Sequence, residues 1–180
     1  GKSPDKAVDP FQNSPIEKMP HMNDWNPIKE GVSMSMTGLP VFDTTIQKTN
    51  LWLNELMEDM QWDNRHKAYQ ALRAVLHELR DHLPPAECVH LSAQLPMLVR
   101  GIFFEGWRIT PKPSRDHSAE SFLAAVADHF PKDPEVDAER IVRAVFALLA
   151  DHIPGGEIEK IIAVLPKQLR SFWHEYHFQP

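Results

Sequence analysis

Ionisable residues of this chain recur at a single offset of 70 positions, among them Arg73/Arg143, Asp81/Asp151, His82/His152, Glu87/Glu157, Arg100/Arg170 and Glu105/Glu175. Two chemistries suit such a set. Arginine forks hold planar oxyanions through paired N–H groups, so Arg73 and Arg100, with their counterparts Arg143 and Arg170, would line two related pockets for phosphate or carboxylate. The other reading is structural and the placement favours it: Arg73, Asp81, Glu87 and Arg100 close an ion-pair network inside the fold. His82 and His152 are expected in the last turn of a helix, where an imidazole meets the negative end of the helix dipole for about 0.3 to 1 kcal/mol. Glu87 and Glu157 are expected in the first turn of the next helix, close to its free N–H groups.

Other chemistry finds less support. Glu87-Cys88-Val89-His90 has the Glu-x-x-His spacing of carboxylate-bridged metal bundles, and His77 with Asp81 shares a helical face. Such a bundle needs the motif twice, and the counterpart reads Glu157-Ile158-Glu159-Lys160. Cys88 aligns with Ile158 on an apolar stripe, which makes it a small buried hydrophobe rather than an activated thiolate. His174 and His177 read as a terminal turn. The chain contains no Gly-x-Ser-x-Gly elbow, phosphate-cradling glycine loop or paired zinc spacing. No catalytic, metal or cofactor-binding residue is expected.

The elements that position these residues follow from the same offset. From Trp52 to Glu105, set over Phe122 to Glu175, 16 of 54 positions are identical without a gap, against roughly one in twenty for unrelated sequences of ordinary composition. The chain therefore reads as a tandem duplication. From Thr44 the apolar residues fall into helical spacing. Leu53, Leu56, Met57 and Met60 make a short stripe, and Ala68, Leu72, Val75, Leu76, Leu79 and Leu83 a longer one. Leu123, Val126, Ala127 and Phe130, then Ala138, Val142, Val145, Phe146, Leu149 and Ile153 repeat the pattern. Each long helix should end at Leu83-Pro84 or Ile153-Pro154, because a proline ring disfavours helical geometry in the residue before it. A short helix then carries Cys88, Leu91 and Leu95, or Ile158, Ile161 and Leu165, inward. Leu95-Pro96 and Leu165-Pro166 break the chain again and start a last helix with proline in its first turn, presenting Val99, Ile102 and Phe103, or Leu169, Phe172 and Trp173. The expected fold is all-α: a four-helix unit of some 55 residues, copied once, with both copies sharing one core about a pseudo-twofold axis because so small a unit is marginal alone. Repeat 1 spans about residues 44–107 and repeat 2 about 118–176, within a single helical domain of residues 41–180; 108–117 is the connector.

Composition sets outer limits. A formal charge of -6 argues against a broad nucleic-acid footprint. The longest apolar run, Ile141 to Ala150, is ten residues and is interrupted by Arg143, short of the ~20 that span a bilayer. One cysteine forms no internal disulfide, which fits a reducing cytoplasm. No secretory leader is expected. Residues 1–40 hold six of the 16 prolines and no apolar periodicity. They read either as a flexible tail, with Trp25 and its methionines as anchors, or as appended sequence ahead of a start at Met34 or Met36.

Ala71-Leu72-Arg73-Ala74-Val75-Leu76-His77, His90-Leu91-Ser92-Ala93-Gln94-Leu95-Pro96-Met97-Leu98-Val99-Arg100-Gly101, Phe104-Glu105-Gly106-Trp107 and the opening Val41-Phe42-Asp43-Thr44-Thr45-Ile46-Gln47 together resemble a bacterial family catalogued as domain of unknown function 2267, over about residues 39–175. The resemblance implies a helical, cytoplasmic prokaryotic protein with no assigned activity or cofactor. The sequence before Thr37 departs from the pattern. A second clue to function is the asymmetry between the copies. Gly101, Phe103, Phe104, Gly106 and Trp107 stand where the second copy has Ser171, Trp173, His174, Tyr176 and His177. A glycine inside a helical pattern costs about 1 kcal/mol against alanine, so close packing is expected there, from the other repeat or from a second chain. The most favoured role is a non-enzymatic binding or assembly module, as a homo-oligomer or with a protein partner. The alternative is a small-anion or metabolite sensor using the arginine-lined sites.

Overall fold

The computed structural model describes residues 36–108, 118–133 and 136–173, and all of its regular elements are helices. They are α1 (Pro40–Met60), α2 (Arg65–His82), α3 (Pro85–Gln94), α4 (Met97–Phe104), α5 (Ala119–Ala127), α6 (Ala138–His152), α7 (Gly155–Val164), α8 (Lys167–Arg170) and a closing 3-10 turn, Ser171–Trp173. The expectations for residues 1–35, for 109–117 of the connector and for His174, Glu175, Tyr176 and His177 fall outside the described residues.

Local chemistry sets the boundaries. α1 begins at Pro40, four residues before the start expected at Thr44. Proline is at home in a first turn, and Asp43 fastens that turn by accepting from the N–H and hydroxyl of Thr37 at 2.9 and 2.8 Å. Asn64, Ser118 and Asp137 are side-chain N-caps for α2, α5 and α6. The two long helices stop at Leu83 and Ile153, immediately before Pro84 and Pro154, as the proline rule requires. Pro96 and Pro166 stand at the N-caps of α4 and α8, one residue ahead of the expected first turn.

All these helices belong to one compact unit, residues 37–180. At its centre α2 and α6 pack on each other; α1 lies on both, α5 lies on both, α4 packs on α2, and the 3-10 turn packs on α6. Leu72, Val75, Leu76 and Leu79 of α2 and Val142, Val145, Phe146 and Leu149 of α6 are essentially inaccessible to solvent. Ring contacts tie α1 and α5 to this pair. Trp52 of α1 stacks on His152 of α6 at 5.0 Å, and Phe122 of α5 meets His82 of α2 edge-on at 5.1 Å. Lys67 of α2 reaches Asp133 at 2.7 Å, and Arg140 of α6 donates to the Asp59 carbonyl of α1 at 3.2 Å. Among the described residues no helix is long and apolar enough to cross a membrane.

Because Trp52 and Phe122 are both buried where α1 and α5 seat on the central pair, Trp52→Ala and Phe122→Ala should each cost about 3 to 5 kcal/mol. Leu51→Ala, a neighbour on the exposed face of α1, should stay within about 0.5 kcal/mol. Urea midpoints of the three variants check both statements.

Candidate functional site

The densest polar arrangement lies between α2 and the end of α4. Arg73, His77 and Arg80 follow at i, i+4 and i+7 on one face of α2, and all three grip the same terminus. Arg80, only 5% exposed, donates from Nη1 to the Phe103 and Glu105 carbonyls at 2.8 and 3.1 Å and from Nε to Asp81 at 2.8 Å. His77 Nε2–H donates to the Ile102 carbonyl at 2.8 Å, and since a carbonyl only accepts, that contact fixes the tautomer. Arg73 Nε binds the Glu105 carboxylate at 2.6 Å. The last carbonyls of a helix have no internal partner and carry its negative pole, so a basic face is the natural cap. Burial pushes His77 below its ordinary 6.5, with the charges of Arg80 and Arg73 adding to the effect. Its hydrogen bond to Arg73 holds the Glu105 carboxyl below the usual range.

His77 and Arg80 escape the recurrence filter because their counterparts are Ala147 and Ala150. The spacing of basic residues along one apolar face was the available signal.

The recurring arginines cap helices. Arg100 donates from Nε to the Ser92 carbonyl at 2.7 Å and from Nη2 to those of Ala93 and Leu95 at 3.4 Å, closing the end of α3. Arg170 treats α7 in the same manner, reaching the Leu165 and Ala163 carbonyls at 2.8 and 2.9 Å. Arg143 binds Glu139, one turn back on its own helix, at 2.7 Å and donates to the Ser171 carbonyl at 3.2 Å. Glu87 pairs with His90 at 3.5 Å and Glu157 with Lys160 at 2.7 Å; Asp151 is exposed. The four charges expected to meet in one network are thus dispersed: Arg73 goes to Glu105, Asp81 to Arg80, Glu87 to His90 and Arg100 to carbonyls. Each long side chain finds a nearer acceptor than its expected partner. The two histidines do stand in the last turns of α2 and α6. His82 Nδ1–H donates to the Glu78 carbonyl at 2.7 Å, and His152 Nε2–H donates to Glu55 at 2.5 Å.

The candidate interface divides. Phe103 is wholly buried and belongs to the core, while Phe104 and Trp107 are half-buried, with ring centroids 5.3 Å apart. Gly106 has φ +66°, the left-handed conformation that favours glycine just past a helix end, and this accounts for it without a partner. At Gly101 a Cβ would meet nothing within 4 Å, so no described part of the other half packs closely there.

Two further features stand apart from these caps. Among the described residues no group of three or more His, Cys, Asp or Glu is arranged to hold a metal. A cleft of about 450 Å³ opens beside α6, walled by Arg140, Arg143, Ala144, Ala147, Phe172 and the carboxylates of Asp59, Asp137 and Glu139. The guanidinium of Arg143 lies 5.3 Å over the Phe172 ring.

Two solution properties follow. Since the folded value of His77 lies below 6.5, the unfolded chain binds more protons below that pH. The stability from its neutral ring is complete above 6.5 and is lost as pH falls from 6.5 toward the folded value. Melting temperatures across that window should flatten in His77→Gln. Cys88 is buried, donates to the Arg80 carbonyl at 3.3 Å and has its thiol pushed up by burial to about 11. At pH 8 it should react with a maleimide only as fast as the chain unfolds; rapid labelling of folded protein would contradict this.

No curated protein matches the chain. A family model described as an uncharacterized conserved protein, DUF2267, matches residues 49–172, beginning about ten residues inside the expected span. With the helices α2 to α8 and their caps wholly inside that match, the chain belongs to the DUF2267 family.

Proposed function

We propose that this chain is a non-enzymatic binding or assembly module, built by duplication, that works by presenting an apolar surface to a protein partner or to a second copy. The observation that carries this reading is a cluster at the start of α1 and α4. Leu39, Val41, Phe42, Met97 and Leu98 are each between 43% and 54% exposed. The Leu98 N–H donates to the Thr45 hydroxyl at 2.9 Å, and Val41 and Phe42 lie one turn before Thr45 on the same side of α1. Val41, Phe42 and Leu98 are therefore neighbours rather than scattered, Leu39 and Met97 flank them along the chain, and contiguous exposed apolar side chains mark interaction surfaces. Meanwhile the groups best suited to chemistry are engaged with the fold itself: Arg80, Arg100 and Arg170 on carbonyls, and Cys88 in the core.

Support for the duplication is reciprocal contact. Trp52 touches His152 and Phe122 touches His82, pairs that exchange when 70 is added to each first-half residue. α1 packs on α6 as α5 packs on α2, and α3 meets α7. Such exchange is the mark of a twofold arrangement. The single buried thiol accords with action in a bacterial cytoplasm. A small-anion sensor is the second reading. Arg140 and Arg143 on one cleft favour it, and three carboxylates on the same walls oppose it.

Light scattering over a micromolar range should give a mass above the 20.7 kDa of one chain or, failing that, a stable complex with a partner protein. Leu98→Asp should weaken association at least about tenfold, a change of about 1.4 kcal/mol, with stability altered by less than about 0.5 kcal/mol. A strict monomer that retains no partner overturns the proposal.

A further inference from the structure

The cleft beside α6 is walled in part by residues whose counterparts in the first half lie in a packed joint: Arg143, Ala147 and Phe172 answer Arg73, His77 and Ile102. This comparison rests on the correspondence of the two halves proposed above. In the first half the Arg73, His77 and Arg80 face of α2 packs on the end of α4, and the His77 ring delivers its N–H to the Ile102 carbonyl at 2.8 Å. Seventy positions on, α6 packs on the 3-10 turn Ser171–Trp173, and Arg143 reaches that turn through the Ser171 carbonyl. The counterpart of His77 is Ala147 and the counterpart of Ile102 is Phe172. Both line the cleft of about 450 Å³. A histidine that fills the joint in one half is thus answered in the other by a methyl group on the wall of an open space, with Phe172 beside it.

We infer that this cleft binds a small molecule bearing an imidazole-type ring, a flat azole with one N–H donor that sits against Ala144 and Ala147 and donates toward the backbone of Phe172. The first half is the template: it shows which ring the site accommodates and what that ring binds. The walls suit the ligand. Ala144, Ala147 and Phe172 supply apolar contact and Arg143 lies over the Phe172 ring. The volume is within the range of about 300–1,000 Å³ typical of small-molecule sites. Arg143 is already engaged by Glu139 and Ser171, and Asp59, Asp137 and Glu139 outnumber the two arginines on the walls. Both facts favour an uncharged or weakly basic azole over an anion.

The test uses the full chain with imidazole as the probe, at ~pH 8, where the ring is neutral. Imidazole should raise the melting temperature and shift the amide signals of Ala144, Ala147 and Phe172. Ala147→His supplies the ring covalently, so it should itself raise the melting temperature and weaken imidazole binding at least about tenfold. His77→Ala opens the matching space in the first half and should recover part of its lost melting temperature when imidazole is added. If imidazole rescues His77→Ala but leaves the wild-type amides unmoved, the correspondence stands and the inference is overturned. If it does neither, the correspondence falls as well. Binding with the shifts elsewhere, or undiminished in Ala147→His, also overturns it. Should Ala147→His fail to fold, the wild-type shift map decides.

Discussion

The pairing of α2 with α6 is the constraint on which the rest of the structure depends. Four helices in some 55 residues bury too little surface to stand alone, and α2 and α6 supply the buried faces on which the other helices seat. α2 hides the Leu72, Leu76 and Leu79 side of its surface against α1, α5 and α6, and α6 hides Val142, Phe146 and Leu149 in the same crowd. The aromatic residues Trp52 and Phe122 each cross to the histidine that ends the opposite long helix. Removing either ring therefore leaves a cavity at the seam between halves, where relaxation is hardest because two elements must shift together.

Short helices impose a second requirement. Prolines cut the chain at Leu83-Pro84, Leu95-Pro96, Ile153-Pro154 and Leu165-Pro166, and every cut leaves carbonyls without an internal partner. The sequence answers with arginine. Arg100 and Arg170 each follow a Leu-Pro step by four residues and fold back onto the helix just ended. Arg80 and His77 cap α4 from the side. This explains how α2 carries His77 and Arg80 among its buried residues. Buried polar groups are tolerated when hydrogen-bonded, and taking away one partner of a buried charge typically costs about 3 to 5 kcal/mol.

Helix number, apolar faces and stops were legible in the sequence because they depend on periodicity and proline, which act locally. Partner choice was not. Recurrence singled out Arg73, Arg100, His82 and Glu87, yet their partners are Glu105, three carbonyls, an aromatic ring with a carbonyl, and His90. A flexible side chain can reach many acceptors, and spacing along the chain does not rank them. Recurrence also concealed His77 and Arg80, whose interest lies in being unmatched. The start of α1 was placed late because Thr44 opens the apolar stripe, whereas the capping contact between Thr37 and Asp43 precedes it.

That mismatch between the halves carries the functional argument. The central pair needs both of its sides sealed, and both are: His82 and His152 keep their rings. It does not need both outer caps built alike. In the first half, basic side chains fill the space between long helix and terminal helix, and Arg73 reaches across to Glu105. In the second, Ala147 stands 70 positions after His77 and lines the cleft, and Arg143 takes a carboxylate from its own helix, Glu139, while still touching Ser171. On the proposed correspondence of the halves, one position is a sealed joint on one side and an open cleft on the other. A fold held by its central pair can keep that cleft open because the core itself remains closed, with Phe146 stacked on Trp173 at 4.2 Å.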